Sequence, residues 1–326
     1  MGIVGQATAT FIGTAACGWM AVFPAAAQAP YPSAPIRLIV PNPPGGLPDV
    51  LARIVSDKLR ERLGQPIVIE NRPGANAGIG AAAVTASKPD GYTFLVSDSA
   101  VINVSPLLNN ELPFNPKELM PVTLIGRAPL YLGAHSAFTA STLKDVIEQA
   151  KANPGKINYG SIGVGSFHHL TMEAIQAEFG IKLNHIPYKG SGESVTALRA
   201  GQIQLVFASY AGILPAVKSQ QARLIVSNGL QRSKQAPDIP AIAETIPGFD
   251  LTVSQSLYAR TGTPVALAER IAVAMAQVTS DPEIVERFSV LGVEAASAGP
   301  AELERILKGE GERVLKVVKA ADLKPN

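Results

Sequence analysis

The chain is almost without cysteine. Its one thiol, Cys17, falls in the first 29 of 326 residues, a stretch with the marks of an export signal. The mature chain then carries no thiol, which excludes disulfides, a cysteine nucleophile and thiolate metal sites. A charge of one sign is also missing. The 28 Lys and Arg are offset by 26 Asp and Glu, a net charge of +2, and no long run of either sign occurs. Nucleic acid asks for a basic stripe, so no nucleic-acid partner is expected. Past residue 30, no stretch reaches the roughly 18 consecutive apolar residues of a membrane-spanning helix.

Residues 1–29 contain no Asp, Glu, Lys or Arg. They are rich in Ala, Gly and Thr and end in Ala27-Gln28-Ala29, the small-x-small pattern of an export cleavage site. No basic residue precedes the apolar part, a departure from the usual signal. Thr14 stands where a lipid-attachment site ahead of Cys17 prefers an aliphatic residue. We expect a periplasmic protein, exported by this signal and without a lipid anchor.

What the chain does have is alternation. Apolar runs such as Ile36–Val40, Ile67–Ile69, Thr93–Val96, Leu183–Ile186, Leu205–Ala208 and Leu224–Val226 read as strands. Helical spacing marks Val50–Leu63, Leu143–Ala152, His168–Phe179, Ala266–Thr279, Glu283–Leu291 and Ala301–Lys319. Pro48, Asp281-Pro282 and Thr263-Pro264 mark helix starts. This order predicts α/β layers with largely parallel sheets.

Two glycine turns stand out. "IVPNPPGGLPDVLARIV" puts Gly45 and Gly46 between a strand and a helix. Well over a hundred residues later, "INYGSIGVGSFHHLTMEAI" repeats the plan with Gly160, Gly163 and Gly165, and with Ser161 and Ser166 among them. A helix start offers unpaired N–H groups and about half a positive charge, and glycines let a ligand come close. Phosphate or carboxylate suits such a place. Neither turn carries the Lys-Ser or Lys-Thr of a Walker loop, and the second reads G-x-x-G-x-G, not the dinucleotide order. A small anion held between two matched turns remains, outside the carboxyl ends of the strands.

Other chemistries find less support. His168 and His169 are neighbours, a poor chelating pair, and no carboxylate stands at ligand spacing from them. No metal or other cofactor is expected. There is no G-x-S-x-G elbow for a serine nucleophile. Asp49 has two possible roles: a carboxylate complementing the first helical turn, or a contact to a ligand's amino or hydroxyl group.

The stretches "PPGG..D..AR", "ENRPGA" and "G.GS..H", with "HIPYKGSGESVTALRAGQIQLVF" and "YARTGTPVALAERI", resemble the substrate-binding proteins of tripartite tricarboxylate transporters, the Bug receptors. The likeness runs through nearly all of the chain after the signal. It implies an α/β, two-domain periplasmic binding protein (type II) with two crossover strands and an interdomain cleft. The domains would be residues 30–127 with 257–326, and 128–256, the crossings falling near Gly126–Leu132 and Ser256–Ala259. The likeness also implies ligand-binding residues Pro44, Gly45, Gly46, Leu47 and Asp49 in the first turn. Ser161, Gly163, Gly165, Ser166 and His169 follow in the second, with Tyr188 and Lys189 at the border. Ser99 and Ser209 stand at places that face the ligand, where this chain departs from the family pattern.

The function expected is non-catalytic capture of a small carboxylate and its delivery to membrane permease subunits by a monomeric chain. A sensor that docks on a receptor kinase and a hydrolase using Ser166 and His169 are the alternatives.

Overall fold

The computed structural model describes residues 1–3, 5 and 31–325. Cys17, the expected cleavage site and nearly all of the expected signal lie outside the described residues. From Tyr31 the chain runs β1 (Ile36–Val40), α1 (Leu47–Leu63), β2 (Ile67–Asn71), α2 (Gly78–Thr85), β3 (Thr93–Asp98), α3 (Ala100–Asn103), α4 (Ser105–Leu108) and β4 (Leu119–Ala128). There follow β5 (Leu130–His135), α5 (Leu143–Ala152), β6 (Asn158–Ser161), α6 (Phe167–Phe179), β7 (Asn184–Pro187), α7 (Ser191–Arg199), β8 (Leu205–Ser209), α8 (Tyr210–Lys218) and β9 (Ala222–Ser227). The chain ends with β10 (Val253–Arg260), α9 (Val265–Thr279), α10 (Pro282–Val290), β11 (Glu294–Ala295) and α11 (Pro300–Ala320).

The strands form two sheets, ordered β11-β4-β10-β3-β1-β2 and β7-β6-β8-β5-β9. Neither is largely parallel. β1 runs parallel to β2 and β3, and β6 to β7 and β8, but β10 and β5 are antiparallel to the strands on both of their sides. The physical reason is the crossing. β5 enters the second sheet, and β10 re-enters the first, from the end where the parallel strands finish.

Both faces of the first sheet are covered, which explains the buried apolar run Leu38-Ile39-Val40 of β1. Leu38, Phe94, Val96 and Leu257 pack under α1 and α9. Ile39, Leu95 and Tyr258 face the other way, towards Val84 of α2 and Leu303 of α11. In the second sheet Tyr159, Leu132 and Phe207 pack with Leu170 and Ile175 of α6, and Val206 and Ala208 with α7 and α8. α11 belongs to both cores: Leu303 and Leu307 to the first, Val314 and Val318 to the second.

The first crossing falls between Ala128 and Leu130, inside the expected Gly126–Leu132. The sequence places the return near Ser256–Ala259. Those residues are already paired with β3 and β4 in the first sheet, and β10 starts earlier, at Val253. Asn228 ties the two crossings together. It is fully buried, its Oδ1 accepts from Leu130 N–H at 2.7 Å, and its Nδ2 donates to the Leu251 carbonyl at 2.7 Å. Asn228→Ala should therefore leave a buried donor and a buried acceptor unmade and cost about 3 kcal/mol in urea unfolding. A loss within experimental error would mean that the crossings are held by their strand pairing alone.

One helix start differs from the sequence expectation. Asp281 caps α10, accepting from Glu283 N–H at 3.0 Å, but Thr263 does not cap α9. Pro264 is the N-cap there, and the Thr263 hydroxyl donates back to the Arg260 carbonyl at 2.8 Å. Its oxygen is drawn into the preceding turn.

Candidate functional site

Strand register fixes where the two glycine turns lie. Asp98, the last residue of β3, stands opposite Gln255 near the start of β10, and Ser254 stands opposite Arg127 near the end of β4. β1 and β2 run parallel to β3, so the carboxyl ends of all three strands lie at the crossing. In the second sheet Leu130, the first residue of β5, stands opposite Ser209, the last of β8. β6 and β7 run parallel to β8 and also end there. The starts of α1 in the first lobe and of α6, α7 and α8 in the second therefore gather at the crossing. The lobes touch there, since a Cβ placed on Gly165 would stand 3.0 Å from Leu108 Cδ1.

The first turn is built around Asp49. Only 1% exposed, it accepts from Gly45 N–H at 2.9 Å, from Arg53 Nε at 3.0 and 3.1 Å, and from Asn71 Nδ2 at 2.9 Å. Asn71 also donates to the Asn42 carbonyl at 3.0 Å, pinning the loop from the next strand. Burial pushes the Asp49 carboxyl up. The hydrogen bonds from Arg53, Gly45 and Asn71, with the Arg53 charge, outweigh this and hold it below its ordinary value. Asp49 thus has no free oxygen for a ligand. Its carboxylate positions the turn. Gly45 needs its glycine, with φ at +86°. Gly46 N–H donates to Pro43. Among the described residues, Leu47 N–H and Asp49 N–H have no acceptor, and Gly46, the N-cap, has no side chain to cover them.

The second turn is held in the same manner by different atoms. Gly163 and Gly165 adopt φ of +117° and +79°. Ser161 Oγ accepts from Gly163 N–H at 3.0 Å, and His169 Nδ1 accepts from Gly165 N–H at 3.3 Å. Ser166 Oγ accepts from His169 N–H at 3.3 Å while donating to the Gly163 carbonyl at 2.7 Å. Ser161 and His169 are buried, and their side chains are engaged by the turn. The N–H groups of Phe167 and His168 have no acceptor among the described residues. Ser166 Oγ has no imidazole nitrogen as a partner among the described residues; it bonds the Gly163 carbonyl and the His169 N–H.

Behind this turn lies a support the sequence did not reveal. His185 stacks on Tyr159 with ring centroids 4.9 Å apart and lies tilted against His169 at 4.3 Å, and its Nε2 lies 2.6 Å from Ser161 Oγ. Burial lowers His168, His169 and His185 to about 4, with the neighbouring His169 a further cause for His185. All three are neutral at pH 7, so the 3.7 Å approach of His169 Nε2 to Glu173 is not an ion pair. Attraction for an anion here rests on helix N–H groups, not on imidazolium.

The remaining expected residues divide. Pro44, Gly45 and Lys189 are exposed, and Gly46, Leu47, Tyr188 and Ser209 are half-buried at the crossing end. Ser209 caps α8, accepting from Gly212 N–H at 3.3 Å. Ser99 is fully buried and bonded through its N–H to Ser254. Asn71, Arg53 and His185 were missed, although Asn71 and Arg53 sit inside the two motifs "ENRPGA" and "PPGG..D..AR". Those motifs are one hydrogen-bonded unit, and "G.GS..H" is another. A surface depression of about 630 Å³ on the first lobe, lined by Ala82, Leu112 and Phe114, includes none of these residues.

Comparison with known proteins gives the family. The family described as tripartite tricarboxylate transporter family receptor matches residues 51–323. The chain is similar to BugT of Bordetella pertussis, 33% identical over 297 residues, 90% of this chain and 91% of that one. It is similar in structure to an R. palustris protein solved with adipate, at a TM-score of 0.84 and 27% identity, over 91% of this chain and 100% of that one. MatC from Rhodopseudomonas palustris, solved with bound malate, matches at a TM-score of 0.78 and 25% identity, over 88% of this chain and 100% of that one. Among the described residues no helix is long and apolar enough to cross a membrane. The chain belongs to the tripartite tricarboxylate transporter receptor family, whose members are periplasmic solute-binding proteins and not enzymes.

Proposed function

We propose that the chain captures a small carboxylate between the starts of α1 and α6 and delivers it to the membrane permease of a tripartite transporter. One observation carries this reading. The free N–H groups of Leu47 and Asp49 in one lobe, and of Phe167 and His168 in the other, lie at the same crossing end of two sheets. Each start adds the positive end of a helix dipole, and bridging water completes contacts of this kind at little cost. The adipate and malate of the two relatives are in keeping with it. Closure by hinge motion at Ala128–Leu130 and Leu251–Val253 would distinguish loaded from empty chains for the permease.

A thermal-shift screen of mono-, di- and tricarboxylates tests the binding. At a hundred times its dissociation constant, the right acid adds about 2.7 kcal/mol of stability. No shift from any acid would refute the carboxylate reading. Delivery is tested in cells: loss of the chain should abolish uptake of the acid that binds, and undiminished uptake would speak for a different route.

A further inference from the structure

α11, a helix of 21 residues, serves both cores: Leu303 and Leu307 belong to the first, Val314 and Val318 to the second. Its middle is poorly suited to a rigid strut. Gly309 and Gly311 stand there, and an interior glycine weakens a helix and marks a common place for it to kink. Packing does not ask for Gly309, since a Cβ on it would come no nearer than 3.6 Å to Arg313 Nη1, an ordinary contact. Gly311 makes room for Asn103 of α3, whose Oδ1 would lie 2.9 Å from a Cβ there. Asn103 Nδ2 donates to the Leu307 carbonyl at 3.0 Å. In a regular helix that carbonyl meets the N–H of Gly311. A side chain entering the ladder is a second cause of bending.

The same turn of helix is fastened to the return crossing. Glu310, between the two glycines, is 3% exposed and accepts from Ser254 Oγ at the start of β10. One turn on, Arg313 Nε donates to the Asp250 carbonyl at 2.8 Å, and Arg127 Nη2 from the end of β4 donates to Asp250 Oδ2 at 2.9 Å. Asp250 and Ser254 flank the crossing Leu251–Val253. α11 is thus pinned where the chain passes between the lobes, and its two halves are packed in different cores. Rotation of one lobe against the other must bend α11 between Leu307 and Arg313 or pull one half out of its core. We propose that Gly309-Glu310-Gly311 is a flexure, a third hinge element beside the two crossings, with Glu310 its anchor on β10. The inference rests on the hinge closure proposed above and extends it: the crossings set the axis, and the flexure sets how easily the lobes turn about it.

Gly309→Ala is the test, because it stiffens the helix without a clash. Exposed Asp57 of α1 and Glu178 of α6 are replaced as Asp57→Cys and Glu178→Cys in a Cys17→Ala background, which leaves two thiols for spin labels. Pulsed electron paramagnetic resonance then gives the distribution of lobe-to-lobe distances. In the ligand-free chain Gly309→Ala should narrow that distribution and raise Tm by about 1–3 °C. It should also weaken the tightest-binding acid of the screen by about two- to fivefold, the cost of bending a helix that holds alanine in place of glycine. A higher Tm with an unchanged distribution is the behaviour of a strut that merely gains helix propensity, and it overturns the flexure. An unchanged dissociation constant, for an acid that wild type does bind, overturns it as well. Binding of no acid by wild type overturns the carboxylate function instead, and the ligand-free distributions still decide the flexure.

Discussion

Gly46→Asp should leave the chain folded and remove its affinity for carboxylates, by a hundredfold or more. Gly46 is the N-cap of α1 with φ −66° and ψ 154°, a conformation open to any residue. A Cβ there would lie 3.1 Å from Asn42 Cβ and 3.3 Å from the Pro43 carbonyl, so the loop must give by a few tenths of an ångström. Aspartate is a favoured N-cap, and its carboxylate would accept from Asp49 N–H, the group reserved for the ligand. Like-charge repulsion from Asp49 offsets some of this, so stability should stay within about 1 kcal/mol of wild type. Binding has no such compensation. The new carboxylate occupies the donor and sets a negative charge where the ligand's charge must lie, a repulsion of about 4 kcal/mol at 4 Å in a partly screened site. Calorimetry with the best acid from the screen measures the loss, and urea unfolding measures the stability. An unchanged dissociation constant would remove the start of α1 from the site.

Asp49→Ala should have the largest effect on stability. The substitution strands Gly45 N–H, Asn71 Nδ2 and the inner edge of Arg53, all now satisfied by one buried carboxylate. Hydrogen bonds to a charged group are each worth about 1.5–3 kcal/mol, and Arg53 is half exposed and can turn to water, so a loss of about 3 kcal/mol is expected. Acid-binding should fall with it, because Gly45 and Gly46 lose the anchor that aims the helix start. The pH dependence separates charge from packing. The folded carboxyl is held below its unfolded value of 3.8, so the native state binds the proton less readily than the unfolded one. Its stabilisation is full above about pH 4 and is lost as pH falls through the folded value. The gap between wild type and Asp49→Ala should therefore be widest near pH 7 and close at low pH. A gap independent of pH would assign the effect to packing alone.

How far the sequence could be read depended on local pattern. β1, its turn and α1 were legible because the apolar period changes from continuous to helical across Gly45-Gly46, with Pro48 marking the start. β4 and β10 were harder. Pro121 and Gly126 interrupt the first, and Ser254, Gln255 and Ser256 place three polar residues in the second. Those polar residues are where the strands meet the crossing, so the pattern fails at the functional end. α2, with its glycines and alanines, and α8, with Pro215 inside it, have weak helical signals for related reasons.

The site residues were legible as places and not as roles. Position in the motif put Asp49 and His169 at the turns, correctly. What they do depends on Asn71, Arg53 and Gly165, whose contacts no local pattern reveals. Ser99 illustrates the limit of strand ends. Its place just after β3 is legible, but its burial and its N–H bond to Ser254 are not.

The central claim is that one anion is shared by two helix starts, one from each lobe. Co-crystals with the tightest-binding acid from the screen test it most directly. The carboxylate should lie within hydrogen-bond reach, about 2.7–3.2 Å, of Leu47 N–H or Asp49 N–H, and should reach Phe167 N–H or His168 N–H directly or through a single water. An acid bound to one lobe alone, or seated elsewhere with these four N–H groups untouched, would contradict the account.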